Sequence, residues 1–121
     1  MAQRIIKGAA VNLSSASIFL IVEAVDMRLG IEGLSQLIAQ TLGYSPCDGT
    51  AYAFSNSRRN RLKLLIWDGT GVWLCQRRLH RGHFIWPNHG GSPFQMDEGS
   101  WRWLTQGVDW QRLNAAPDAS K

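Results

Sequence analysis

Seven cations crowd into one stretch of this chain: Arg58, Arg59, Arg61, Lys63, Arg77, Arg78 and Arg81, with Asp68 the lone acid between Ser55 and Ile85. That stretch carries +6, so the remainder of a chain whose total is +4 carries −2. The choice of arginine matters. A guanidinium offers a planar fork of donors matched to phosphate oxygens and is less strongly hydrated than an ammonium. The chemistry these residues suit is anion contact, and the phosphate backbone of nucleic acid is the polyanion that meets several of them at once. Trp67, Trp86 and His83 add flat surfaces for stacking. Such contacts position a protein without reading base sequence. No helix-turn-helix, zinc-finger or ribonucleoprotein aromatic motif accompanies them. Two other readings fit the same residues. The stems lie along a sheet with their heads in water, or arginine and tryptophan anchor an acidic protein partner.

The remaining candidates for chemistry are weaker. His80-Arg-Gly-His83 has a spacing seen in metal sites, but Cys47, Cys75 and His89 supply no matching pair to complete three or four ligands. Asp26, Asp68 and Glu98 suggest an acidic metal triad only until their local roles are considered. Asp68 belongs to an Asp-Gly turn, and Asp26 and Asp97 suit helix caps. No Ser/His/Asp or Cys/His arrangement and no phosphate-cradling glycine loop stands out. The expectation is a protein without catalytic residues, metal or cofactor.

These side chains need elements to hold them. Ile18 to Val25 is β-branched and aromatic and reads as a buried strand. Ile31, Leu34, Leu37, Ile38 and Leu42 recur at helical spacing, with Gly43 as a stop and Pro46 against any restart. From Thr50 the period becomes two. Thr50–Phe54, Arg61–Trp67, Val72–Leu79 and Phe84–Trp86 read as four strands of an antiparallel meander, because the joining turns are short. Pro87 to Pro93 reads as a loop, and Asp97 caps a short helix ending near Gln106 and Gly107. Trp101 and Trp103 fall on different sides of that helix, so one of them is expected near the surface. Val108-Asp109-Trp110 is expected to pack the chain end onto the sheet. The whole predicts one α+β domain over 17–113: an antiparallel β-meander with the 30–42 helix packed on it and a short C-terminal helix. Residues 1–16 read as a loose arm and 114–121 as a frayed tail.

The central hairpin fixes where the charges go. An even loop at Asp68–Gly71 sets Trp67 opposite Val72, Leu65 opposite Leu74, Lys63 opposite Gln76 and Arg61 opposite Arg78. That face is apolar near the turn and cationic at the open end. Leu62, Leu64, Ile66, Trp73, Cys75 and Leu79 share the other face, broken only by Arg77, and the 30–42 helix is expected to cover it. Two cysteines far apart give no disulfide framework and suit a reducing cytoplasm. The apolar run Ile18–Val22 is too short for a signal core or a membrane span.

The ordered segments carry a resemblance. Asp26-Met27-Arg28 with Gly30 and Gly33-Leu34, then Arg58-Arg59-Asn60-Arg61-Leu62-Lys63-Leu64-Leu65 with Trp67-Asp68-Gly69-x-Gly71, resemble two blocks of one family. Arg78-Leu79-x-Arg81-Gly82-x-Phe84-x-Trp86-Pro87 and Gly107-Val108-Asp109-Trp110 resemble its third and fourth. From about Ile18 to Leu113 the chain is similar to the TnpB-type accessory protein, the second open-reading-frame product, of insertion-sequence-66 family transposable elements. That family is unrelated to the RNA-guided nuclease sharing the TnpB name. The resemblance implies a small cytoplasmic protein, encoded beside a separate acidic-triad transposase and needed for efficient transposition, with no established catalytic residues. Its implied partners are DNA, through phosphate contacts, and the element's transposase. The N-terminal arm is longer than the family's, and Gly99, Trp103 and Thr105 make the last helix less regular. Oligomeric state stays open.

Overall fold

The computed structural model describes residues 17–43, 46 and 49–115. Its elements run β1 (Ser17–Leu20), α1 (Ile31–Leu42), β2 (Thr50–Ser55), β3 (Arg61–Trp67), β4 (Val72–Arg78), β5 (Phe94–Met96), α2 (Glu98–Thr105) and α3 (Trp110–Ala115). The expected arm, 1–16, and residues 116–121 of the expected tail lie outside the described residues.

Asp68 folds the centre of the chain back on itself. Its Oδ1 accepts from the Thr70 N–H at 2.9 Å, the Gly71 N–H at 3.0 Å and the Thr70 hydroxyl at 3.0 Å. Its Oδ2 accepts from Trp73 Nε1 at 2.8 Å. The strands then pair in the expected register, Trp67 with Val72 through Arg61 with Arg78. β2 joins the other side of β3, antiparallel, so β2–β3–β4 supplies three of the four strands of the expected meander.

Beyond β2 the sheet becomes mixed. Its order is β4-β3-β2-β1-β5, with β1 parallel to β2 and β5 antiparallel to β1. A parallel neighbour needs a crossover, and α1 supplies it. The helix ends where Gly43, at φ +84°, donates its N–H to Ala39 O at 2.7 Å, the left-handed stop that glycine adopts without strain. Asp26, expected as the cap of this helix, instead closes a separate turn before it, accepting the Arg28 N–H at 2.9 Å. Gly30 occupies the cap position with no side-chain bond.

Both faces of the sheet are covered, and this corrects the expected packing. Leu34 and Ile38 of α1 bury against Tyr52, Phe54 and Leu65, the face that is cationic at its open end. Each of those two side chains contributes about 2 kcal/mol by its burial. The Leu62, Leu64 and Ile66 face is covered by Phe84, Trp86, Trp101, Leu104 and Trp110 from the C-terminal half. Ala51 and Ala53 at the sheet centre leave room there for four large rings.

Three strand expectations also change. β1 stops at Leu20, where side chains share the backbone partners: the Ile21 N–H still donates to Ala53 O at 2.9 Å, but Trp86 Nε1 donates to Ile21 O at 2.9 Å and the Val22 N–H donates to Ser92 Oγ at 2.6 Å. Phe84–Trp86 is no strand. It crosses the sheet face with both rings buried, held by the Phe84 N–H on Arg59 O at 2.6 Å. The fifth strand, Phe94–Met96, falls in a stretch too short to show a period. Asp97 caps α2 as expected, accepting the Ser100 N–H at 2.7 Å. Gly107, at φ +77°, lets the chain turn under Leu79, whose Cδ1 would lie 3.3 Å from any added Cβ. Trp110 is buried as expected, although the chain end forms a helix. Among the described residues no helix is long and apolar enough to cross a membrane.

Candidate nucleic-acid interface

The turn between β2 and β3 sorts the arginines. Asn56 Oδ1 accepts the N–H groups of Asn60 and Arg61, both at 3.1 Å, while Asn56 Nδ2 donates to Asn60 Oδ1 at 2.7 Å. This side-chain mimic of a backbone turn is what asparagine does well. It locks the loop with Arg59 at φ +59°, in the left-handed region. The reversal sends Arg59 inward and leaves Arg58 and Arg61 exposed.

Arg59 is therefore a structural residue. Its Nη2 donates to Val22 O at 3.0 Å, and its guanidinium lies 5.7 Å from the Trp86 ring centroid. Its own carbonyl holds Phe84 in place. One side chain thus ties the end of β1, the β2–β3 turn and the Phe84–Trp86 crossing together. Burial pushes its pKa below the usual arginine value, yet a guanidinium stays protonated in any ordinary solution.

Lys63 and Arg77 are also occupied. Lys63 Nζ donates to Leu29 O at 2.9 Å, pinning the chain that leads into α1. Arg77 points to the opposite face, where its Nε donates to Thr105 O at 2.6 Å. That carbonyl lies in the last turn of α2, where the helix dipole favours a cation.

Arg58, Arg61, Arg78 and Arg81 remain. All four are exposed, and among the described residues none has a carboxylate within 4.0 Å. Arg58, Arg61 and Arg78 share the wall of a cleft of about 440 Å³, whose opposite wall is residues 24–27. Arg81 sits apart in the turn after β4. Leu79 N–H donates to Asn60 O, so the neighbouring Arg61–Arg78 pair is of the non-hydrogen-bonded kind, in which side chains stand closest. Two like charges so placed cost up to about 1 kcal/mol. Asp26 on the opposite wall does not relieve them, because Arg28 already holds it at 2.9 Å and keeps its pKa at about 2.

The sequence reading anticipated the Arg61–Arg78 opposition but missed the far wall and the inward turn of Arg59. One signal was available. Asn56 and Asn60 bracket the arginines at a spacing suited to a side-chain-locked turn. Nothing local announces that residues 24–27 face that turn. His80 and His83 are both exposed, and among the described residues no three His, Cys, Asp or Glu side chains gather to hold a metal ion.

Comparison with known proteins agrees with the motif resemblance. The family model described as IS66 Orf2 like protein matches residues 16–115. Among curated proteins, the uncharacterized protein y4jC of Sinorhizobium fredii (strain NBRC 101917 / NGR234) is 33% identical over 95 residues, covering 78% of this chain and 81% of its own. The uncharacterized protein y4hO of the same strain is 33% identical over 86 residues, covering 71% and 75%. No solved structure matches. With the match running over all the described residues, the chain belongs to the IS66 Orf2-like family, whose members are associated with transposition as accessory proteins.

Proposed function

We propose that this accessory protein grips the phosphate backbone of DNA in the cleft walled by Arg58, Arg61 and Arg78. The observation that carries the reading is a convergence. Segments from three of the four motif blocks that carry the family resemblance, Asp26-Met27, Arg58 with Asn60-Arg61, and Arg78, line this one cleft although they are far apart in the chain. Packing does not demand the arginines there, since Arg58, Arg61 and Arg78 are exposed and Arg61 and Arg78 face each other as like charges. A bound polyanion removes the repulsion and satisfies the guanidinium forks together. Three neutralised phosphates on duplex DNA give a slope of about −3 for log affinity against log salt. The test is a salt titration of binding to the element's terminal DNA, without transposase, for the natural chain and for Arg61→Glu/Arg78→Glu. A flat response in the natural chain rejects the reading.

A second reading has its own observation. Trp73 and Trp103 are 42% and 45% exposed, and exposed tryptophan beside arginine suits protein contact. In that reading the chain is an adaptor docked on the element's transposase. Pull-down from nuclease-treated lysate separates the two, because only the adaptor keeps its partner without nucleic acid.

A further inference from the structure

The sheet has two edges, and they are not alike. β5 is three residues long, follows Pro93 directly and runs almost at once into α2. Those are the devices by which proteins blunt an edge. β4 is seven residues long and contains no proline, no glycine and no bulge in its pairing with β3. Among the described residues nothing pairs with its outer side, which is an open template.

The ladder shows which groups it offers. Asp68 N–H donates to Gly71 O at one end of the hairpin and Leu79 N–H to Asn60 O at the other. The odd residues of β4 therefore bond to β3, and the N–H and C=O groups of Val72, Leu74, Gln76 and Arg78 point outward. These four are evenly spaced about the central residue, Cys75.

We propose that two copies of this chain join through β4, antiparallel about a two-fold axis at Cys75, so that one sheet runs through both molecules. This pairing uses the whole strand. Val72 bonds to Arg78 of the second copy and Leu74 to Gln76 of the second copy, each satisfied twice by symmetry. The charges also fit. Arg78 meets valine, not another arginine. Trp73 stands opposite Arg77 of the second copy in a close, non-hydrogen-bonded pair, where an aromatic face and a guanidinium attract. Beyond the strands, the turn carrying Asp68 comes alongside the cationic Arg78–Arg81 end of the second copy. Sliding the pairing two residues leaves outward groups unpaired, so the full overlap is favoured. The ring of Trp73, 42% exposed, gains a burial partner.

The geometry makes Cys75 its own probe. Across a non-hydrogen-bonded pair the two Cα atoms stand about 4.5 Å apart, within the range a disulfide spans. With Cys47→Ser, Cys75 is the remaining thiol. Mild oxidation with diamide then yields a covalent dimer, which Cys75→Ser abolishes. Sedimentation equilibrium of the unoxidised chain gives twice the 13.6 kDa mass. Gln76→Pro removes an outward N–H while sparing the bonds to β3, and returns the mass to one chain. Trp73→Arg sets like charges opposite each other at both ends and weakens the dimer about tenfold. Adding Arg77→Asp to that variant restores it. Circular dichroism of each variant confirms that the sheet is retained. A single-chain mass at every concentration overturns the proposal, as does a dimer indifferent to Gln76→Pro and Trp73→Arg. A single chain that takes up only an extended peptide from another protein also overturns it, assigning the edge to that partner.

Discussion

The two ends of the β3–β4 hairpin treat charge in opposite ways. At the turn, Asp68 is an anion satisfied from within: two backbone N–H groups, a hydroxyl and an indole N–H all donate to it. At the open end, Arg61 and Arg78 stand opposite each other with no side-chain acceptor among the described residues, and Arg58 joins them on the cleft wall. Arg59, between Arg58 and Arg61 in sequence, is likewise turned inward, its Nη2 bonded to Val22 O while its buried Nη1 has no hydrogen-bond partner among the described residues. The difference separates charge bonded within the fold from charge left exposed at its surface. Neighbouring arginines in one motif fall on both sides of that line.

Substitutions sharpen the contrast. The largest loss of stability is expected from Arg59→Ala, which strips Val22 O of its donor and Trp86 of its cation. It should lower the unfolding free energy by about 2 kcal/mol in urea titration. Arg59→Lys should recover little of that, because a point charge does not match the planar stack. An effect of Arg59→Ala no larger than that of Arg58→Ala would erase the distinction. For binding, Arg61→Glu/Arg78→Glu should flatten the salt slope from about −3 to about −1.

The turn end makes its own prediction. Its donors pull the Asp68 pKa from 3.8 to about 2 in the folded chain. A carboxyl held below its unfolded value stabilises fully above 3.8, and that share is lost as pH falls toward 2. Asp68→Asn should therefore flatten the acid limb of the stability–pH profile in that window, leaving the share owed to Asp26, whose pKa is depressed similarly by Arg28. The smallest effect has the opposite sign. Arg78→Gln removes a like-charge pair and should leave stability unchanged or raise it by up to about 1 kcal/mol while weakening DNA binding. A clear loss of stability would mean that the arginine has an internal role.

Much of the local structure was legible in the residues themselves. The Asp68-Gly69-Thr70-Gly71 loop set the hairpin register, the Leu34–Ile38 spacing marked α1, and Gly43 and Asp97 marked helix ends. Each rests on interactions within a few residues, where turn chemistry and side-chain period act directly. Phe84–Trp86 misled for the same reason. Its alternating apolar residues suit a strand, but the Arg59 carbonyl and the sheet face beneath it recruit the segment as a crossing.

The amino-acid pattern by itself determined three strands of the meander, the main helix and the opposition of Arg61 to Arg78. Only the tertiary structure decided which helix covers which face, that β5 pairs with β1, and that Asp26-Met27 forms the far wall of the arginine cleft. The reason is physical. Both faces of the central hairpin are apolar over much of their length, so a period of two cannot say what will pack on either. The packing that settles the matter gathers residues far apart in the chain, Leu65 with Ile38 in one cluster and Leu64 with Trp101 in the other, and it forms only when the whole sheet is assembled.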